Sequence, residues 1–281
     1  MTPYDYTNYV RQEFAEAEHG DLAYFQQRQQ VYWDEIRPRA GARVLDVGGG
    51  SGQLAALLAE HGCHVTLLEV SPDSIEFARS VCQRVLAEAS MGRLFFVLGD
   101  LTKEGVRTEL FGTNVYDIIL LVNVWEHLTP DACQKLIREF SSLLAPLGVL
   151  YLTTYPNKIY VQPLRAAAKA LLGTRGGYID QGIHINEQHY WSLRKQLAKC
   201  PELEFQITGY FKPHALYRET QIALRDKKAA KVILPLVYGV SSLINILYAL
   251  FSRTPLRWLL CSGLSAFGTH PRSNEEMRDK P

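Results

Sequence analysis

A doubly wound α/β fold is the architecture this chain predicts, and three observations carry it. Short β-branched apolar runs alternate with stretches of helical period through the middle of the chain. Ser71-Pro72 and Thr129-Pro130 place a capping hydroxyl ahead of a proline at a first helical position. The first apolar run ends in VLDVGGGSG, Val44 to Gly52, a glycine-rich turn between a strand and a helix. Alternation of this kind implies a parallel sheet covered on both faces, with ligands beyond the carboxyl ends of its strands.

The elements follow in order. The first ~36 residues are rich in Tyr, Gln and Glu and have helical character, so they are expected to fold over the ligand edge as a lid. RVLDVG, HVTLLEV, LFFVLGD, YDIILLVNV and GVLYLTTY are the buried strands. Helices are expected over GQLAALLAEHG and SPDSIEFARSVCQRVLAEA. After residue 158 the regularity loosens. A helix is expected from Glu187 to Lys199, then a strand LEFQITGYF, a long apolar segment, and a last strand-like GLSAFGT. The division expected is one domain over 1–281: a lid to 36, a core over 37–211, an apolar helical insertion over 212–262, a last strand over 263–271 and a tail over 272–281.

Composition bounds the function. A length of 281 residues with 47% hydrophobic and 21% charged residues describes an ordinary globular chain. The net charge of +1 gives no global reason to expect nucleic acid. From Lys212 onward, however, eleven Lys/Arg stand against five Asp/Glu, a net of +6. That basic end points to an anionic partner such as a membrane surface. Five scattered cysteines without a CxxC pair, and an N-terminus without an apolar signal core, predict a cytoplasmic protein with reduced thiols.

The glycine spacing discriminates between nucleotides. A dinucleotide fingerprint is GxGxxG; here Gly48, Gly50 and Gly52 give GxGxG, and Asp46 stands two residues ahead. Together these residues resemble motif I of the class I S-adenosylmethionine (SAM) methyltransferases. Further segments resemble the same family at successive strand ends. They are Glu69-Val70-Ser-Pro-Asp, Gly99-Asp100-Leu101, Asn123-Val-Trp-Glu126-His127 and GVLYLTTYPN. The resemblance spans roughly residues 40 to 211. It implies a Rossmann-like sheet of seven strands, mostly parallel, whose last strand is antiparallel. SAM is then the cofactor. Glu69 would accept from the ribose hydroxyls, Val70 would pack on adenine, and Asp100 with the Leu101 N–H would bind the adenine edge. The Asn123 carbonyl would face the methionine amine. NAD is the competing cofactor, because an acid after strand two serves it equally well.

Chemistry needs an acceptor held against the methyl group, and a base where the acceptor loses a proton. His127, at the end of strand four, and His184, in GIHINEQHYW, are the candidate catalytic residues. Glu126, His127, His184 and His189 also form a candidate metal set, by resemblance to the small-RNA 3′-end 2′-O-methyltransferases. This chain departs from that pattern at Asn123, where the pattern has Glu, and at Tyr155 before Pro156-Asn157. The small-molecule and quinone-type O-methyltransferases share the Glu-His pair, and no metal is expected. Transfer to O or N of a small, apolar or lipid-linked acceptor is the function expected. The rivals are an RNA 2′-O-methyltransferase, which needs a phosphate-tracking basic surface that the catalytic region lacks, and a non-catalytic SAM-binding protein.

Val232 to Phe251 holds no charge in twenty residues, and Lys227, Lys228, Lys231 and Arg253 flank it. Its length suits a membrane span, but a chain that must return for its last strand does not suit one. Three readings stay open: a buried insertion over the substrate pocket, an interfacial helix giving a peripheral contact with the inner face of a membrane through 228–262, and a dimer interface or true span.

Overall fold

The computed structural model describes residues 14, 17–100, 103, 111, 115–159, 162, 184–210 and 230–271. Its centre is a seven-stranded sheet of order β3-β2-β1-β4-β5-β7-β6. The chain enters through α1 (Leu22–Ile36), β1 (Arg43–Val47), α2 (Gln53–Glu60), β2 (His64–Glu69), α3 (Pro72–Val85), the single turn α4 (Glu88–Met91) and β3 (Leu94–Leu98). It continues through β4 (Tyr116–Val122), a 3-10 turn (Trp125–His127), α5 (Pro130–Leu143) and β5 (Leu144–Thr154). The last part is α6 (Tyr190–Leu197), β6 (Glu204–Tyr210), α7 (Ala230–Phe251), α8 (Arg257–Leu260) and β7 (Gly263–Thr269). Strands β1 to β5 pair in parallel; β7 is antiparallel to both β5 and β6. The expected doubly wound sheet with an antiparallel last strand is therefore the fold.

Alternation along the strands builds two cores, because successive side chains leave opposite faces. Ile119, Leu121, Leu150 and Leu152 point to one face, where they meet Ile137 and Phe140 of α5, Leu193 of α6 and Trp258 of α8. Leu120 and Tyr151 point to the other, under Phe25 and Tyr32 of α1, Leu58 of α2 and Ala78 of α3. Residues Gln53 to Ala59 of α2 are all buried, since α1 and α3 flank it.

The caps behave as their sequences require. Ser71 Oγ accepts from the Ser74 N–H, and Thr129 Oγ1 from the Ala132 N–H. Several boundaries differ from expectation. Strand β5 starts at Leu144 rather than Gly148, and β7 ends at Thr269 rather than at 271. The helix expected through 71–89 breaks at Leu86, whose backbone is extended, into α3 and α4. The helix expected from Glu187 starts at Tyr190, because His189 is its N-cap. The helical part of the expected lid that lies within the described residues includes α1. It packs on α2 and is fastened through Glu35 to Tyr151 (2.7 Å) and Ser265 (2.6 Å) on the sheet.

Candidate functional site

The carboxyl ends of β1, β2 and β4 meet around the glycine turn. Gly48 has φ +70, and a Cβ there would lie 2.6 Å from the Val124 side chain. Glycine is thus needed for both conformation and clearance. Its N–H donates to the Leu68 carbonyl at 2.7 Å, which ties the turn to β2. Gly52 (φ +78) caps α2, and its Cα faces α3, where a Cβ would sit 3.0 Å from Ala78 Cβ.

Glu69 braces this turn from the next strand. Its Oε2 accepts from the Gly50 N–H (3.2 Å), and its Oε1 from the N–H groups of Val70 (2.7 Å) and Ser71 (3.4 Å). The carboxylate is almost fully buried, yet the Val70 side chain beside it is 59% exposed. A buried acid next to an uncovered apolar side chain suits a group with a polar ring and a flat apolar one. Asp46 lies behind them, buried, with Oδ2 lacking a hydrogen-bond partner. Burial first, and the Glu69 charge second, push its carboxyl up to about 7.

That shift has a stability consequence with a definite sign. A carboxyl raised on folding contributes most below its unfolded value near 4, and the contribution is lost as pH rises through about 7. The ligand-free protein is therefore expected to melt at a lower temperature at pH 8 than at pH 5.5. Asp46→Asn should reduce that slope, leaving the share of the other buried carboxyl raised to about 7, Glu126. An identical pH slope in a thermal-shift series on both proteins would exclude the carboxyl as its source.

Asp100 follows β3, partly exposed, and its carboxylate lies 4.0 Å from Lys103 Nζ. Leu101 lies outside the described residues. Asn123 follows β4 in a left-handed conformation, φ +55. Three hydrogen bonds to two residues hold it there. Its N–H donates to Thr153 Oγ1, that hydroxyl donates to Asn123 Oδ1, and Asn123 Nδ2 donates to Tyr32 Oη at 2.8 Å. Tyr32 and Thr153 carry no motif. Tyr32 is 91 residues away in sequence, so only the fold reveals the pairing.

A second cluster begins three residues on. The 3-10 turn buries Glu126 under the site. Glu126 Oε1 accepts from the Tyr155 N–H at 3.3 Å; Oε2 is buried without a hydrogen-bond partner. Burial raises the carboxyl to about 7, against the opposing pull of His184 and of its hydrogen bonds. His127 and His184 stand half-buried with ring centroids 4.8 Å apart. His184 Nδ1 lies 3.7 Å from Glu187 Oε1. One ligand atom from each of Glu126, His127 and His184 falls within 4.8 Å of the others.

His189 stands apart from these three. Its Nδ1 accepts from the Ser192 N–H (3.2 Å), and Ser192 Oγ accepts from the His189 N–H (3.0 Å). This reciprocal cap accounts for the residue, and the signal for it was Ser three positions on, at N3. Burial, with Lys158 second, lowers its imidazole below the usual value. A cleft of about 340 Å³ opens beside His184, lined by Lys158, Glu187, Gln188, His189 and Gln196 among others.

The site can thus bind a nucleoside at the glycine turn and present imidazoles and a carboxylate a few residues beyond β4. Comparison with known proteins identifies the family. A family model described as a methyltransferase domain matches residues 21–205. The ubiquinone biosynthesis O-methyltransferase of Coxiella burnetii is 33% identical over 159 residues, which cover 54% of this chain and 62% of that protein. The chain thus matches about three fifths of that relative's length. Among solved structures, magnesium protoporphyrin IX methyltransferase from Synechocystis PCC 6803, with bound SAH, superposes with a TM-score of 0.51 at 21% identity, covering 72% of this chain and 88% of that one. The methyltransferase domain of a bacterial Hen1 superposes at 0.53 with 16% identity, covering 90% and 100%. The two structural matches bear on the fold alone, and one fold accommodates different acceptors.

Proposed function

Since the chain belongs to the class I SAM-dependent methyltransferase family, we propose that it transfers the SAM methyl group to O or N of a small acceptor, apolar or lipid-linked. The observation that carries this reading is the Glu69 carboxylate, which braces the Gly50 turn and the Val70–Ser71 turn while Val70 stands uncovered beside it. Glu69 would accept from the ribose hydroxyls, Val70 would pack on adenine, Asp100 and the Leu101 N–H would take the adenine edge, and the Asn123 carbonyl would face the methionine amine. When bound, SAM supplies an electrophilic methyl group on a sulfonium. The protein's share is to align the acceptor for in-line displacement, and alignment alone is worth ~7–11 kcal/mol.

In this reading His127 takes the acceptor proton, and His184 orients it and shares the charge. Of the expected lid and insertion, α1 and residues 230–262 would complete the acceptor pocket, with the peripheral membrane contact through the latter; 1–13 and 212–229 lie outside the described residues. A second reading of the same cluster has a specific observation behind it, the Glu126-His127-His184 grouping with the bare Glu126 Oε2. Two imidazoles and one carboxylate form a donor set for zinc-like transition ions rather than magnesium, which prefers oxygen ligands. Glu126, His127 and His184 would then hold the ion, and it would supply Lewis acidity toward the acceptor oxygen.

Calorimetry tests the cofactor. SAM and S-adenosylhomocysteine are expected to bind, and NAD is not. NAD binding without SAM binding would overturn the reading.

A further inference from the structure

Helix α7 runs through 22 residues between the end of β6 and the start of β7. Since β7 is antiparallel to β5, both junctions lie at the ligand edge of the sheet. Tyr248 holds the inner face of the helix there, donating from Oη to the Gly209 carbonyl at 2.7 Å. Ser241 also faces inward and is buried; neither its Oγ nor Asn245 Oδ1 has a hydrogen-bond partner.

The outer face reverses the usual pattern. Leu243, Ile246 and Leu250, at helical spacings of three and four, are 55%, 58% and 70% exposed. Tyr238 and Val240 in the same helix, and Leu256 and Leu259 just after it, are also exposed. A helix against water places its apolar stripe inward and its polar side chains outward. This one turns polar side chains toward the protein and large aliphatic ones away from it, and exposed apolar side chains clustered on one face in this way mark an interaction site.

Charge identifies the partner. From Lys227 to Asn274 the sequence has Lys227, Lys228, Lys231, Arg253, Arg257 and Arg272 and no acidic residue. Lys231 and Arg253 are exposed at the two ends of α7. A second copy of the chain fits this poorly. An antiparallel pairing of α7 helices would set cation against cation. The exposed stretch from Tyr238 to Leu250, ~18 Å long at ~1.5 Å per residue and roughly one helix wide, also falls well short of the ~800 Å² per partner of a stable interface. Among the described residues no helix is long and apolar enough to cross a membrane. An apolar strip with cationic ends, lying flat, matches the boundary between acyl chains and anionic head groups.

We propose that α7 docks on an anionic lipid surface through Leu243, Ile246 and Leu250, with Lys231 and Arg253 against the head groups, so that the ligand edge of the sheet faces the bilayer. An apolar acceptor then enters from the lipid rather than from water. Entry of an acceptor rests on the methyl-transfer reading; docking does not.

Flotation of the whole chain with phosphatidylcholine vesicles, with and without phosphatidylglycerol, is the test. The chain is expected to float with the anionic vesicles and to be released as salt rises. Combined replacement Leu243→Gln, Ile246→Gln and Leu250→Gln should cut the bound fraction by about tenfold or more. These side chains point outward, so circular dichroism and S-adenosylhomocysteine affinity should not change. Absence of flotation by the native chain overturns the proposal, as does equal flotation of the triple variant. So does a native dimer that fails to float and that the triple variant converts to monomer. Flotation without S-adenosylhomocysteine binding would leave docking standing and remove only the methyl-transfer reading.

Discussion

Glu69→Ala is expected to weaken SAM and S-adenosylhomocysteine binding by roughly ten- to a hundredfold, with the fold intact. The estimate follows from the bonds involved. A hydrogen bond to a charged group is worth ~1.5–3 kcal/mol, and each ~1.4 kcal/mol is tenfold in affinity. Alanine removes the acceptor proposed for the ribose hydroxyls. It also releases the N–H groups of Gly50, Val70 and Ser71, which the carboxylate now gathers. The turn loses its brace where it must be preorganised. Glu69→Gln keeps one acceptor oxygen and should fall between the two. Calorimetry with S-adenosylhomocysteine reads the effect without any acceptor, so an unknown substrate does not obstruct it. Unchanged affinity in the alanine variant would refute the assigned role.

Much of this site was legible because its parts are local. The turn from Asp46 to Gly52, the acid at the end of β2 and the capping pairs Ser71-Pro72 and Thr129-Pro130 each express a constraint that a few neighbouring residues satisfy. The doubly wound parallel sheet followed from strand-like and helical runs alternating along the chain. What stayed hidden depends on residues far apart in sequence. Nothing near Asn123 announces that Tyr32 and Thr153 hold it in a left-handed conformation. Nothing near Glu126 announces that one of its oxygens is buried bare while the His184 loop closes over the cluster. His189 shows the reverse case: its place in a histidine-bearing loop suggests a ligand, whereas its Nδ1 caps a helix. The apolar run from Val232 to Phe251 was visible at once, whereas its outward face was not. A helix that is apolar all round carries no pattern of its own to say which side turns away.

His127→Ala is expected to lower turnover by about a hundredfold to ten-thousandfold, the span of general acid–base catalysis, and to leave SAM affinity within about twofold. The split follows from position. His127 sits on the 3-10 turn after β4, its ring against His184, whereas the proposed nucleoside contacts come from the glycine turn, Glu69 and Asp100. The substitution therefore touches the acceptor side and spares the donor side. Two roles share this prediction, and a pair of measurements separates them. If His127 removes a proton, the variant should regain rate as pH approaches the acceptor's own pKa, and a chelator should not affect the native protein. If His127 holds an ion with Glu126 and His184, a chelator should reproduce the loss in the native protein, zinc or a related ion should restore it, and the variant should not respond to added metal. Full activity of His127→Ala at every pH tested, with no response to chelator, would remove this residue from the chemistry and leave His184 to carry it.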